Sequence, residues 1–426
     1  MIDVVGLGDG GLAQAPDTAR RLVLGARVLL GGRRHLDLVP TVDGQQRHPW
    51  PTPLRAGLPT LLERVGACAA RPADETGVVV LASGDPLLSG VGTTLVGLLG
   101  AEVVRVHSAV SSETLARARM GWAAEETVVV SLVGCSPDRV RRHLTPGTRL
   151  VVLCSDGSTP AAVADLLVAE GCGQSVTTAW WHLGGVDEGS RTAHAAEWGE
   201  QRTPDLVVLC VVVEPAGALA RAALGAAPGR SEAAFEHDGQ ITKRDVRASA
   251  LAHLRPTPGA HLWDLGAGSG AVGIEWALAA AGARTTAVER DHERADRVRR
   301  NAARLGVPDE VNVVIGDAAD ALEALDAPDA VFVGGGLTPE LLDEGWARLP
   351  RGGRFVAHAV TLGAEAVLVE ACRRLGGELT RVTVEHAEPL GRHLSWTPAR
   401  PVVQWSATKL PEPADRHAGR PSTDGA

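Results

Sequence analysis

The sequence predicts an α/β protein of two or three domains with largely parallel sheets. Three observations carry that reading. Short β-branched runs alternate with helical stretches along the whole chain. The 426 residues exceed the roughly 250–300 at which one core stops growing, and about 150 residues per domain is the usual division. Two strand candidates run directly into glycine-rich turns, Gly6–Gly11 and Gly266–Gly270.

In the first half, strands are expected at Ile2–Val5, Arg27–Leu30, Val78–Leu81, Glu102–Val106, Thr127–Ser131, Arg149–Leu153, Val176–Trp180 and Asp205–Val213. Helices are expected between them, as at Leu54–Ala70 and Pro160–Glu170. Glu214–Ser231 is rich in Ala, Gly and Pro, so a first domain over 1–213 is followed by a linker over 214–231. A further domain covers 232–408. Its strands are expected at His261–Asp264, Thr285–Glu289, Asn312–Ile315, Ala330–Val333 and Gly353–His358. Glu378–His386 and Pro401–Trp405 follow without a helix between them, which suggests an antiparallel hairpin at the sheet edge. Residues 409–426 read as a disordered tail.

Composition narrows the function. The chain has 50 Gly and 26 Pro, under a fifth of its length and below the roughly 25–30% of low-complexity sequence. It has no Tyr and three Phe, which gives little material for stacking nucleobases. The net charge of −9 also argues against a nucleic acid partner. No stretch approaches about 18 consecutive apolar residues, so no membrane span is expected. The first residues lack the basic-then-apolar order of a signal peptide. None of the six cysteines forms a C-x-x-C pair, so no metal site is expected. Cys154 and Cys210 read as small buried hydrophobes, and the chain reads as cytoplasmic with reduced thiols.

The second glycine turn has an acidic partner. Leu262–Gly270 is a strand entering a Gly-rich turn, and Ala271-Val272-Gly273-Ile274-Glu275-Trp276 begins a helix. Glycines let backbone approach a ligand at a helix N-terminus. Glu289 ends the next strand, about 20 residues on, where a carboxylate can bind ribose hydroxyls. Together they indicate a nucleoside-containing cofactor. Gly266-x-Gly268-x-x-Ala271 fits a dinucleotide fingerprint, which would suit a nicotinamide-dependent oxidoreductase. Asp264-Leu265-Gly266-Ala267-Gly268-Ser269-Gly270 more closely resembles the first motif of S-adenosylmethionine methyltransferases. In that class Asp317, in Gly316-Asp317-Ala318, stands where an acid often bonds the adenine amine. A turn residue at a strand end is the alternative for Asp317. Upstream, the cluster Phe235–Arg244 enters a helix that includes Arg247. It reads either as a helix capped by Thr242 or as a substrate lip whose cations clamp carboxylates.

Five segments of this half resemble the decarboxylating precorrin methyltransferase family: Asp238–Lys243, Trp263–Gly270, Ile274–Trp276, Val333–Leu337 and Ala359–Leu362. The resemblance covers about Phe235–Trp405. It implies methylation of carbon 15 of precorrin-6Y and loss of carbon dioxide from the ring C acetate. It also implies a Rossmann-like class I methyltransferase domain, with cofactor contacts at Thr242, Asp264, Gly266, Ala267, Gly268, Ser269, Gly270, Glu289, Asp317 and Ala318.

The first glycine turn reads differently. Gly6-x-Gly8-x-x-Gly11 fits the dinucleotide letters, but the next strand ends in Gly31-Gly32-Arg33-Arg34-His35, with no acid to receive a ribose. Val79–Pro86 is a strand ending in a tight turn. Gly6–Gly11, Gly31–Leu36, Leu81–Pro86, Val110–Ser112 and Leu183–Gly185 together resemble the tetrapyrrole methylase family, in its precorrin-6Y branch that methylates carbon 5. The resemblance implies two α/β lobes, about 1–107 and 108–213, around a cofactor cleft. It implies cofactor contacts at Gly6, Gly8, Gly10, Gly84, Asp85, Ser111 and Ser112. The chain departs from the family pattern at Ser108, Val133-Gly134-Cys135, Trp181-His182 and Gly189.

The whole implies a bifunctional homo-oligomer with two S-adenosylmethionine sites. It would convert precorrin-6Y to precorrin-8X in cobalamin biosynthesis. No nucleophilic side chain is required, because donor and acceptor react directly. The substrate's carboxylates need local cations. The candidates are Lys243, Arg244 and Arg247 in the second half and Arg33, Arg34 and His35 in the first. The alternative for the first half is a tetrapyrrole-binding scaffold without activity.

Overall fold

The computed structural model describes residues 1–66, 77–214 and 227–410. The chain divides into two compact units, Met1–Arg221 and Ala222–Ala426. Part of the expected linker (215–226), the end of the helix expected at Leu54–Ala70, Cys68 and residues 411–426 lie outside the described residues.

The first unit contains two five-stranded sheets. One is fully parallel, in the order Gln46–Pro49, Val28–Gly31, Val78–Ser83, Ile2–Leu7, Val104–His107. Its central strands are buried on both faces, as the runs Ile2–Val5 and Val78–Leu81 require. Alternation sends Val4, Leu30 and Val80 into one core with Leu58 and Leu62. Val5, Leu29 and Leu81 pack on the other face with Leu12 and Val23. The edge strand Gln46–Pro49 was not expected. It has no apolar run, pairs on one side only, and ends in a proline, which an edge tolerates.

The second sheet of this unit departs from the expected parallel pattern. Its order is Thr127–Ser131, Arg149–Leu153, Val207–Val212, Val176–Trp181, Gly189–His194, and only the first pair is parallel. The cause is local: Trp181 and Gly189 are joined by a short turn, which cannot hold a crossover helix. Gly189–His194 was also not expected, being a half-exposed polar edge.

The second unit is built on a seven-stranded sheet. Five parallel strands run in the order Val311–Ile315, Arg284–Glu289, His261–Leu265, Ala330–Val333, Arg354–Ala359. Val402–Thr408 and Glu378–Val382 follow antiparallel. Trp263, Val331, Phe355 and Trp405 fill one face, and Leu262, Phe332, Val356 and Trp276 the other. The strand expected at Glu378–His386 is broken. A separate hairpin, Glu385–Leu390 with His393–Pro398, is inserted between the two edge strands. Lys409, expected to open the tail, belongs to the fold. Its Nζ donates to the carbonyls of Trp346, Ala347 and Leu349 at the end of helix Pro339–Arg348.

Candidate functional site

In the second unit, strand His261–Leu265 delivers the turn Gly266–Gly270 to the N-terminus of helix Ala271–Ala279. Gly266, Gly268 and Gly270 have φ of 71°, 58° and 75°, a region only glycine enters freely. Gly268 differs from the others in its surroundings. A Cβ there would meet only the Gln240 carbonyl, at 3.7 Å, so the backbone is open on that side.

Glu289 closes the other side of this place. The parallel register Leu265↔Val288 brings the two strand ends level. Gly268 N–H donates to Glu289 Oε2 at 2.8 Å, and Asp291 N–H donates to Oε1 at 3.0 Å. Each carboxylate oxygen keeps capacity for one more donor. Open glycine backbone beside a carboxylate fits a nucleoside cofactor with a charged amino-acid end.

Asp264 lies beneath the turn and is buried, its Oδ2 accepting Gly273 N–H at 3.0 Å. Burial pushes its carboxyl up to about 7; the Gly273 bond opposes this and the nearby Glu289 adds to it. The expected cofactor contact is corrected here: without exposed surface, Asp264 supports the turn from below. Ser269 is buried as well, and its carbonyl accepts from Asn301 Nδ2 at 2.9 Å. Asp317 is exposed and caps the short helix Ala318–Ala321 through Ala319 N–H at 3.0 Å.

The lip is fastened from three sides. Phe235 packs into the core with Ala271 and Ile274. Asp238 binds Arg294 Nε at 2.8 Å and Arg297 Nη1 at 3.2 Å, and accepts Gln240 N–H at 3.0 Å. The Gln240 N–H first, and those guanidiniums with it, hold its carboxyl at about 2 against the opposing cost of burial. Fully buried Asn301 joins lip to turn: Nδ2 donates to the carbonyls of Glu236 and Ser269, and Oδ1 accepts Glu236 N–H at 2.8 Å. Asn301 was not anticipated, because one Asn in the Arg-rich helix His292–Arg304 carries no motif.

Two expectations for the lip are corrected. The helix is Arg244–Leu254, and Glu232 Oε1, not Thr242, accepts its first N–H, from Arg244 at 2.8 Å. Arg247 and Glu275 are both fully buried and ion-paired at 3.1 Å. Arg247 also donates to the carbonyls of Thr242 and Arg230, and lies 4.9 Å over the Phe235 ring. It cannot clamp a substrate carboxylate; it fixes the lip from inside. Lys243 and Arg244 remain exposed. Thr242 Oγ1 lies 3.9 Å from where a Gly334 Cβ would stand, and Gly335 O 3.1 Å from a Gly266 Cβ. Lip, turn and Gly334–Gly336 therefore surround one place at the strands' C-terminal ends.

In the first unit, Gly6 is demanded by packing. An added Cβ would lie 1.9 Å from Gly84 O. Gly84, at φ 49°, donates its N–H to Leu7 O and accepts from Ala109 N–H, so three segments meet there. Its own Cβ would press on Ser111 Cα at 2.9 Å. Asp85 accepts from Leu87 N–H and Ser108 Oγ. Ser111 is buried and caps helix Ser112–Met120; Ser112 is exposed. A Cβ on Gly10 would strike the Gln14 side chain at 2.0 Å, and around Gly8 a Cβ would meet nothing within 4 Å. Gly8 thus marks the open side of the loop.

Arg34 and His35 turn inward. Arg34 Nη1 donates to Asp9 Oδ1 at 3.2 Å, and Nη2 reaches His35 and Ser83. Burial, then the Arg34 charge, pushes His35 down to about 4. It is neutral near pH 7 and is corrected as a candidate cation. Arg33 is exposed. Two departures from the family pattern explain each other: a side chain at Gly189 would strike the Trp181 indole at 2.6 Å. Glu188 is bound by Arg119 at 2.6 Å and also accepts Gly184 N–H.

A family model described as tetrapyrrole (corrin/porphyrin) methylases matches residues 1–188. A second, described as a precorrin methyltransferase domain, matches residues 233–409. Fold and sites thus define a methyltransferase with two modules in one chain. A precorrin-6Y C(5,15)-methyltransferase (decarboxylating) from Sinorhizobium is 43% identical over 96% of this chain and 96% of its own length. One from Mycobacterium tuberculosis is 41% identical over 96% of this chain and all of its own. A probable cobalt-precorrin-6B C(15)-methyltransferase (decarboxylating) from Pyrobaculum calidifontis is 37% identical over 42% of this chain and 94% of its own length. The chain belongs to the precorrin-6Y C(5,15)-methyltransferase (decarboxylating) family.

Proposed function

We propose that the two units hold one S-adenosylmethionine each and divide the work on precorrin-6Y. The chain methylates precorrin-6Y and removes the ring C acetate carboxyl as carbon dioxide, a step of cobalamin biosynthesis that yields precorrin-8X. In this reading the first unit serves carbon 5 and the second carbon 15. The observation that carries it is Glu289 bonded to Gly268 N–H beside open turn backbone.

When bound, the cofactor supplies an electrophilic methyl group. The chain's part is positioning and exclusion of water. In the second unit Gly266–Gly270 and Glu289 would hold the cofactor, with Thr242, Asp317 and Ala318 at its margin. In the first, Gly8 and Gly10, together with Gly84, Asp85, Ser111 and Ser112, would do so. Lys243 and Arg244 are the exposed cations offered to substrate carboxylates in the second unit, and Arg33 in the first. Among the described residues no helix is long and apolar enough to cross a membrane. A cytoplasmic location and a homo-oligomer belong to the same proposal. The hairpin Glu385–Pro398 supports the latter, because Leu390, Leu394 and Trp396 are largely exposed there.

Calorimetry of the full chain with adenosylhomocysteine tests the division. Two sites are expected, with Gly8→Arg and Gly268→Arg each removing one. One site in the unaltered chain, or loss of both from either change, counts against it. Nicotinamide cofactors are expected not to bind.

A further inference from the structure

His182 stands where the first unit's strand Val176–Trp181 ends, at φ 49°. That backbone is costly for a residue with a side chain, and such strain gathers at functional positions. It aims the imidazole at the first glycine loop. Nδ1 lies 3.0 Å from Asp9 Oδ2, while Asp9 Oδ1 is held by Arg34 at 3.2 Å. The Asp9 side chain is 17% exposed and that of His182 32%. His182 Nε2 has no partner among the described residues, and it is not among the buried, unbonded atoms.

Several contacts fix this geometry. A Cβ on Gly185 would lie 2.3 Å from Asp9 Oδ2, so glycine there lets the backbone close on the carboxylate. Gln14 Nε2 donates to Gly184 O at 3.1 Å, and Gly185 N–H to His182 O at 2.8 Å. A carboxylate on Nδ1 selects the tautomer with the proton on Nδ1, which leaves Nε2 as an exposed base. Asp9 in turn binds Arg34 of helix Arg33–Asp37, whose guanidinium also reaches His35, and Glu188, held by Arg119, accepts Gly184 N–H in the turn that follows His182.

We propose that His182, oriented by Asp9, takes the proton released in the first unit's methylation. This rests on the function proposed above. The acceptor carbon uses a π pair of the macrocycle to form the new C–C bond. The donor's C–S bond breaks with its pair left on sulfur, giving a thioether. The macrocycle then carries one positive charge. Loss of the hydrogen on the acceptor carbon as a proton restores the conjugated neutral ring. His182 Nε2 accepts that proton, and Asp9 stabilises the imidazolium.

The test uses the full chain with His182→Gln and His182→Ala. Adenosylhomocysteine affinity at the first site is expected to stay within about threefold, because His182 is not assigned to the cofactor. The rate of the first methylation is expected to fall about a hundredfold, the usual size of a lost general base. The pH profile of that rate should differ between the unaltered chain and His182→Gln. Added imidazole should restore part of the His182→Ala rate. NMR of nitrogen-labelled histidine should find the His182 proton on Nδ1 in the unaltered chain and redistributed in Asp9→Asn. A variant rate within threefold of the original with an unchanged pH profile overturns the inference and leaves the proposed function standing. So does loss of adenosylhomocysteine binding in both variants, which would make His182 a binding residue. An unaltered chain that adds no methyl at the first unit overturns the proposed function itself.

Discussion

The two glycine loops look alike as letters and are built in opposite ways. In the second unit the group that meets the loop is near in sequence: Glu289 bonds Gly268 from 21 residues away. In the first unit the partners are distant. Gly84 packs on Gly6, and His182 reaches Asp9 across 173 residues. The second loop takes its carboxylate from one strand-turn-helix-strand passage, with the lip and Gly334–Gly336 added from farther off. The first exists only once two sheets have formed. Local construction lets glycines serve φ and ligand approach, whereas assembled construction makes some of them serve packing.

Alanine at matched glycines should break this comparison most visibly if it is wrong. Gly6→Ala drives a Cβ into the Gly84 carbonyl, which is backbone and cannot swing aside. The first unit is expected to lose its cooperative unfolding transition, read by calorimetry. Gly8→Ala meets open space and should fold as before. Gly268→Ala should cost about 1–2 kcal/mol for its left-handed φ, fold, and lose most adenosylhomocysteine affinity at the second site. If Gly6→Ala unfolds like the original chain, the packing argument for the first loop fails.

The same contrast explains what the sequence revealed. Most parallel strands were legible, because runs such as Val78–Leu81 and Ala330–Val333 are apolar and short. The edges Gln46–Pro49 and Gly189–His194 were not, since exposed edges need no apolar pattern. At the second site, Gly266–Gly270 and Glu289 were legible from spacing alone. Asn301 and the inward turn of Arg247 were not, because both depend on what the side chain meets after folding. At the first site, His182 was visible only as a departure beside Leu183-Gly184-Gly185. Its partner Asp9 lies at the other end of the unit.

The buried pair Arg247–Glu275 sharpens the comparison next, since it fastens the lip without touching the turn. Arg247→Met removes the guanidinium ion-paired with buried Glu275, which keeps only its bonds from the Gly229 and Arg230 N–H groups and the more distant Arg230 charge. The second unit should lose about 3–5 kcal/mol in denaturant unfolding. Replacing both residues by apolar ones should restore much of this. If the single change costs under about 1 kcal/mol, the pair is not what holds the lip.

Asn301→Leu is a smaller change with a more specific reading. It removes bonds to Glu236 and Ser269 and leaves the buried Ser269 carbonyl and the half-buried Glu236 carbonyl without this donor. A loss of about 1–3 kcal/mol is expected, with adenosylhomocysteine affinity at the second site about tenfold weaker. The first site should be unaffected. Equal weakening of both sites would mean that the loops are not independently supported.

The last effect is a pH dependence confined to the second loop. Asp264 has its folded carboxyl raised to about 7, by burial first and with Glu289 adding to it. An unfolded aspartate ionises near about 3.9. The folded state therefore holds this proton over a range in which the unfolded chain has released it. Below about pH 4 the group is neutral in both states and costs nothing. As pH rises from about 4 to about 7, the unfolded state gains by ionising and the second unit loses stability; above about 7 the loss is complete. Asp264→Asn keeps an oxygen for Gly273 N–H and removes the ionisation. The stability of the variant relative to the original chain should thus increase with pH across that window and then level off. At the first loop Asp9 is partly exposed and paired with Arg34. Unfolding of the first unit should be unaltered by Asp264→Asn at every pH. A variant whose relative stability is flat from pH 4 to 8 would show that the acid beneath the second turn is ionised throughout. Glu289 and Asp264 would then have to share the site as two charges.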